Sequence, residues 1–159
     1  MDYKQNKYPS EELYDLAIAR LKEKNVSLDD ITKIAYELQH KHTPEATMAQ
    51  FKDSLLCVLH KREVLNSVVV GLELDRLAQE KKLAQPLQKI IEDDYELFGI
   101  DELLALGPSQ LYGTIGVTNF GWVDKAKTGK IKELDTRKGM VNTFIDDVVG
   151  ALAVAASTR

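Results

Sequence analysis

The segment from Thr143 to Ala156 constrains this 159-residue chain more than any other. Its apolar residues cover nearly every side of a helix, with the longest apolar run from Val148 to Ala156, and such a helix is stable only when it is surrounded. That run falls far short of the ~20 residues that cross a bilayer. No membrane span is expected, and the cover must come from the chain itself. Four prolines and nine glycines punctuate the sequence, and no apolar–polar alternation persists long enough to specify a sheet. The expected fold is all-α: one domain over residues 1–159, a helical bundle of about six to seven helices around a central apolar helix.

Start and stop signals place those helices. Ser10 is expected to cap a first helix ending near Asn25, and Ser27 with Asp30 forms a capping-box pattern for a second ending near His40 to His42. Thr43-Pro44 reads as an N-cap followed by proline at the first helical position, opening a third helix through Leu59. A fourth pattern runs from His60 to about Lys82, and Pro86 opens a short one that stops at Gly99. Residues Asp101 to Val123 read as one long helix with a break near Gly107-Pro108. A polar stretch from Asp124 to Asn142 then precedes the apolar helix.

Charge and cysteine count exclude several function classes. With 21 Lys+Arg against 25 Asp+Glu the net charge is -4, which argues against a broad basic face for nucleic acid. A helix-turn-helix over residues 28–56 has suitable lengths, yet its second helix offers only Lys52 as a basic contact, so no nucleic-acid partner is expected. The single Cys57 rules out an intrachain disulfide and any multi-cysteine metal centre, leaving oxygen and nitrogen ligands. A reducing, cytoplasmic setting fits, and Met1 to Gln5 lead into polar residues instead of an export signal core.

Carboxylates on apolar elements are the most informative chemistry. Asp101-Glu102 follows Phe98-Gly99-Ile100, Asp124 follows Gly121-Trp122-Val123, and Asp146-Asp147 sits between Phe144-Ile145 and Val148-Val149. A buried, unpaired carboxylate is costly or takes up a proton. A hard divalent cation supplies the missing charge: magnesium takes a few carboxylates with waters and phosphate oxygens, and bundle interiors gather ligands from facing helices. Spacing alone also allows local roles. Asp101 is a possible N-cap with Glu102 serving the helix dipole, and Asp146 stands three residues after Thr143, as in a capping box. Asp147 has no capping role to fill.

Between residues 125 and 138, Lys125, Lys127, Lys130, Lys132, Arg137 and Lys138 face only Glu133 and Asp135, a surplus of +4. This segment suits a phosphate or anionic headgroup, or else a solvated loop. Gly113, Gly116 and Gly121 lack the spacing of a phosphate-cradling loop and predict close helix packing. His40 and His42 are expected as partners of a helix C-terminus, and Cys57, between Leu56 and Val58, as a small core residue. Apolar patches left on so hydrophobic a bundle make a homo-oligomer the expected state.

Gly99-Ile100-Asp101-Glu102, Asn119-Phe120-Gly121-Trp122-Val123-Asp124-Lys125-Ala126-Lys127, Leu134-Asp135 and Phe144-Ile145-Asp146-Asp147-Val148-Val149-Gly150-Ala151 resemble, in order, motifs of the phosphatidylglycerophosphatase A family. The likeness to its membrane enzymes spans residues 99–155. The whole chain, including Lys61-Arg62-Glu63-Val64 and Gly71-Leu72-Glu73-Leu74-Asp75, is similar to soluble all-helical relatives called low-temperature-requirement C proteins. The resemblance implies magnesium-dependent hydrolysis of the phosphomonoester of phosphatidylglycerophosphate. It implies Asp101, Glu102, Asp124, Asp146 and Asp147 as the Mg2+ set, with Asp101, Asp124 and Asp147 catalytic, and Lys127 as a phosphate contact.

The membrane enzymes have proline directly after the position of Lys127, where this chain has Thr128-Gly129. Their glycine-rich N-terminal motif and transmembrane segments have no counterpart here. Two substrate classes follow: a water-soluble phosphomonoester, or a phospholipid headgroup reached by peripheral docking of the basic segment. The competing expectation is a non-enzymatic homo-oligomer or protein-interaction module that keeps the acidic site without turnover.

Overall fold

The computed structural model describes residues 8–159 and holds no strand among them. The N-terminus from Met1 to Gln5 lies outside the described residues. In chain order the helices are α1 (Ser10–Glu23), α2 (Leu28–Gln39), α3 (Met48–Leu59), α4 (Arg62–Gln79) and α5 (Leu87–Glu92), then α6 (Ile100–Ser109), α7 (Thr114–Ala126), α8 (Gly129–Thr136) and α9 (Ile145–Thr158). A 3-10 turn over Gln110–Tyr112 joins α6 to α7.

The all-α bundle is as expected, and α9 is its axis. Every residue from Ile145 to Ser157 is buried, because α2, α3, α4, α6, α7 and α8 all pack against it. α1 lies on α4, as does α5. Most of the core forms one cluster around α9. A smaller cluster of Ala78, Ile91, Val141 and Phe144 lies beneath the approach to α9, with the Phe98 ring set edge-on to Phe144 at 5.9 Å.

Local signals succeed where the side chain reaches its backbone partner. Ser27 and Asp30 form the expected capping box: the Ser27 hydroxyl accepts the Asp30 N–H at 3.1 Å, and Asp30 accepts the Ser27 N–H at 2.8 Å. Thr43-Pro44 does not start α3. Thr47 does, in a capping box with Gln50 that the Thr43 signal masks, while Thr43 to Ala46 form a turn closed by the Ala46 N–H on the Thr43 carbonyl. Ser10 is the first residue of α1 and not its cap.

The long helix expected from Asp101 to Val123 is divided. α6 runs on through Pro108, and the chain breaks at the 3-10 turn and Gly113, whose φ of +98° is a glycine conformation. The polar stretch contains α8, which buries Ile131 and Leu134. Cys57 is exposed, a correction to the expected core position. The buried face of α3 is Phe51, Ser54, Leu55, Val58 and Leu59, and the helical phase turns Cys57 away from it.

Candidate active site

Three helix ends converge on one cavity of about 530 Å³. The first turn of α6 brings Asp101 and Glu102, and the first turn of α9 brings Asp146 and Asp147. The end of α7 brings Asp124, Lys125 and Lys127, the last as the helix C-cap in a left-handed conformation, φ +38°. All the acids singled out in the sequence line this cavity, as does Lys127. Asp94, Glu96 and Asp135 add three more carboxylates, so among the described residues eight face two lysines, and Tyr95 and Thr143 complete the walls.

Within this group the structure separates the acids by partner. Asp101, Glu102 and Asp147 each offer a carboxylate oxygen within 4.8 Å of the other two. Asp146 instead accepts a hydrogen bond from the Lys127 ammonium at 3.1 Å, and Asp135 accepts a second from the same lysine at 2.6 Å. Asp124 lines the cavity outside the three-carboxylate cluster.

Burial, with like charge, dictates the titration of the cluster. Desolvation pushes Asp147 up to about 9, helped by the charges of Asp146, Asp124, Asp101 and Glu102. Asp101 rises to about 7 through burial and the neighbouring Glu102 carboxyl. Asp146, also buried, reaches only about 6 because Lys127 holds it down. Burial pulls the Lys127 amine the other way, yet its two carboxylate partners outweigh that and raise it.

The capping alternatives fare differently. Asp101 is not an N-cap, since Gly99 holds that place, although Asp101 and Glu102 do lie in the first turn. The Thr143–Asp146 capping box does not form: Phe144 is the N-cap of α9, and the Thr143 hydroxyl donates to the Ile91 carbonyl at 2.6 Å. Helix N-termini favour these acids electrostatically. The packing of α6 against α9 then puts two such ends at one place.

Two further acids bear on this site without having stood out in the sequence: Asp135, which lines the cavity and pairs with Lys127, and Asp75, which accepts the Phe144 and Ile145 N–H groups at the start of α9. Within the basic segment Asp135 reads only as a negative charge; its proximity to Lys127 depends on the turn between α7 and α8. Asp75 lies on α4 and carried no chemical signal of its own. Of the glycines read as packing positions, Gly116 is one, since a Cβ there would lie 2.0 Å from the Ser109 carbonyl oxygen, whereas Gly113 and Gly121 have nothing within 4 Å. His40 is the C-cap of α2, its ring stacked on Tyr36 at 4.5 Å.

An all-helical bundle with an acidic, lysine-bordered cavity at the meeting of helix ends defines the class of this protein. Residues 26–159 match the phosphatidylglycerophosphatase A family, and the chain belongs to it. YutG of Bacillus subtilis, described as an uncharacterized protein, is 46% identical over 144 residues, which cover 90% of this chain and 87% of YutG. The crystal structure of YpjQ from Bacillus subtilis superimposes with a TM-score of 0.89 at 43% identity, covering 96% of this chain and 94% of YpjQ. That of the low temperature requirement C protein from Listeria monocytogenes gives 0.88 at 43% identity, covering 92% of this chain and 93% of the other. No helix among the described residues is long and apolar enough to cross a membrane.

Proposed function

We propose that the protein is a divalent-cation-dependent phosphomonoesterase, with Mg2+ as the cation and a phosphatidylglycerophosphate-like headgroup as substrate. The observation that carries this reading is the cluster of Asp101, Glu102 and Asp147, whose oxygens lie within 4.8 Å of one another. That separation is the span of two cation–oxygen bonds of about 2.1–2.5 Å. Asp101 Oδ1 and Glu102 Oε2 are buried without a hydrogen-bond partner among the described residues, an arrangement that a hard cation satisfies and an apolar core does not.

Asp101, Glu102 and Asp147 would hold the cation, with Asp146 beside them. A bound cation supplies Lewis-acid polarisation of the phosphoryl oxygen. Lys127 has three N–H donors; two go to Asp135 and Asp146, and the third is left for a phosphate oxygen. Asp124, outside the cluster, is the carboxylate assigned to accept a proton from the attacking water. The two anchored bonds of Lys127 keep its charge at the cavity, where it orients the phosphate before reaction.

A lipid substrate is favoured by the rim. Leu97 is 99% exposed and Trp122 60%, and Tyr95, Ile100 and Leu103 are exposed beside them in sequence. Tyr95 lines the cavity, and the others stand within two residues of positions that do; exposed apolar side chains of this kind suit contact with acyl chains. The same rim is also what a self-associating module without turnover would use.

Phosphate release from phosphatidylglycerophosphate in micelles and from glycerol phosphate in water, with and without Mg2+, tests the proposal. Release is expected only with Mg2+, faster from the lipid, and lowered at least about a hundredfold by Asp147→Asn. Equal activity in Asp147→Asn would sink the site assignment. No release from either substrate would favour the non-enzymatic module.

A further inference from the structure

We propose that Asp75 is the positioning residue of the acidic site: from α4 it fixes the backbone at the start of α9, and with it the places of Asp146 and Asp147. Asp75 is fully buried, 0% exposed, and is not part of the cavity wall. Its carboxylate accepts the Phe144 N–H at 3.1 and 3.2 Å and the Ile145 N–H at 3.0 Å. These donors belong to the group that a helix start leaves without intrahelical partners. A side chain 69 residues away in sequence from Phe144 therefore does the capping that no local side chain does.

The residues before Phe144 are held just as firmly. The Val141 N–H donates to Gln79 Oε1 at 2.7 Å. Lys24, buried at the end of α1, donates to the Val141 carbonyl and to Asn142 Oδ1. Asn142 Nδ2 donates to the Leu134 carbonyl at 2.8 Å, and Thr143 to that of Ile91. Each residue from 141 to 145 is thus tied to another element, and Lys24 supplies the opposite charge that Asp75 feels. Gly71, one turn before Asp75, completes the clamp, because a Cβ there would sit 3.2 Å from the Phe144 Cβ. Ligand positions must be held to about 0.5 Å for a metal site to work, and this clamp ends one residue before Asp146.

The inference rests on the metal reading of the cavity, so its test has one arm that needs no metal. In the full chain, Mg2+ binding is measured by calorimetry, and amide hydrogen exchange is measured in the Mg2+-free protein. Wild type is compared with Asp75→Asn and with Val58→Ala, a core truncation on α3. Asp75→Asn is expected to keep its helical circular dichroism, to exchange about tenfold faster over residues 144–148, and to bind Mg2+ about 10–100-fold more weakly. Val58→Ala is expected to lower the melting temperature with Mg2+ affinity unchanged. Wild-type Mg2+ affinity in Asp75→Asn, or an equal loss in Val58→Ala, overturns the proposal. If wild type itself binds no Mg2+, the metal reading fails, and unchanged exchange over residues 144–148 then overturns the clamp on its own. Should Asp75→Asn not fold, Lys24→Met carries the same measurements.

Discussion

At the scale of single residues, the same residue type has opposite consequences depending on what stands opposite it. Gly116 and Gly121 lie five residues apart on α7 and are indistinguishable in sequence. A Cβ at Gly116 would meet the Ser109 carbonyl oxygen at 2.0 Å, whereas one at Gly121 meets nothing within 4 Å. Gly116→Ala is therefore expected to destabilise by about 3 kcal/mol, since the backbone of Ser109 cannot yield as a side chain would. Gly121→Ala is expected to stabilise by up to about 1 kcal/mol through helix propensity. Urea denaturation of the two variants checks both signs. The acids follow the same rule. Asp146 and Asp147 are neighbours in sequence, but Lys127 faces only Asp146, so Asp147, buried and beside the charges of Asp146, Asp124, Asp101 and Glu102, rises further.

At the scale of elements, a helix start is legible where a local cap has no competitor. The Ser27–Asp30 box was readable because both partners lie within four residues. α3 shows the limit, since two threonines four residues apart compete and Thr47, backed by Gln50, takes the role that Thr43-Pro44 advertises. Thr47→Ala is expected to cost about 1 kcal/mol, and Thr43→Ala less, since its hydroxyl only reaches the Gln39 carbonyl at 3.3 Å. Thermal melts of the two variants decide which threonine starts the helix. For α9 the local pattern misleads: the Thr143–Asp146 spacing suggests a capping box, but the backbone at the helix start is capped by Asp75 on α4.

At the scale of the whole molecule, the bundle holds a group of acids more protonated than they would be in the unfolded chain. Asp101, Asp146 and Asp147 are all raised, to about 7, 6 and 9, mainly by desolvation. Each then binds its proton more tightly folded than unfolded. The stability they contribute is complete below the unfolded value near 4 and is lost as pH climbs through the folded values. The melting temperature of EDTA-treated protein is expected to fall by several degrees between pH 5 and pH 9. Added Mg2+ should raise it strongly at pH 9, where protons no longer compete, and little at pH 5. Scanning calorimetry across that range checks the sign; a flat profile would contradict a buried acidic centre.

That the chain is helical, that the segment after Thr143 lies at its centre, and that certain carboxylates are out of place on apolar elements can all be read along the sequence. Those properties are local: they follow from periodicity, capping chemistry and the cost of surrounding an acid with apolar neighbours. The meeting of the ends of α6, α7 and α9, the pairing of Lys127 with Asp146 and Asp135, and the outward face of Cys57 come from the packed fold. Those outcomes depend on how helices pack and on bonds between residues far apart in the chain, of which the 69-residue reach from Asp75 to Phe144 is the one that sets the start of α9. No period or motif within a single segment encodes such a bond, so the convergence of the acids had to come from the fold.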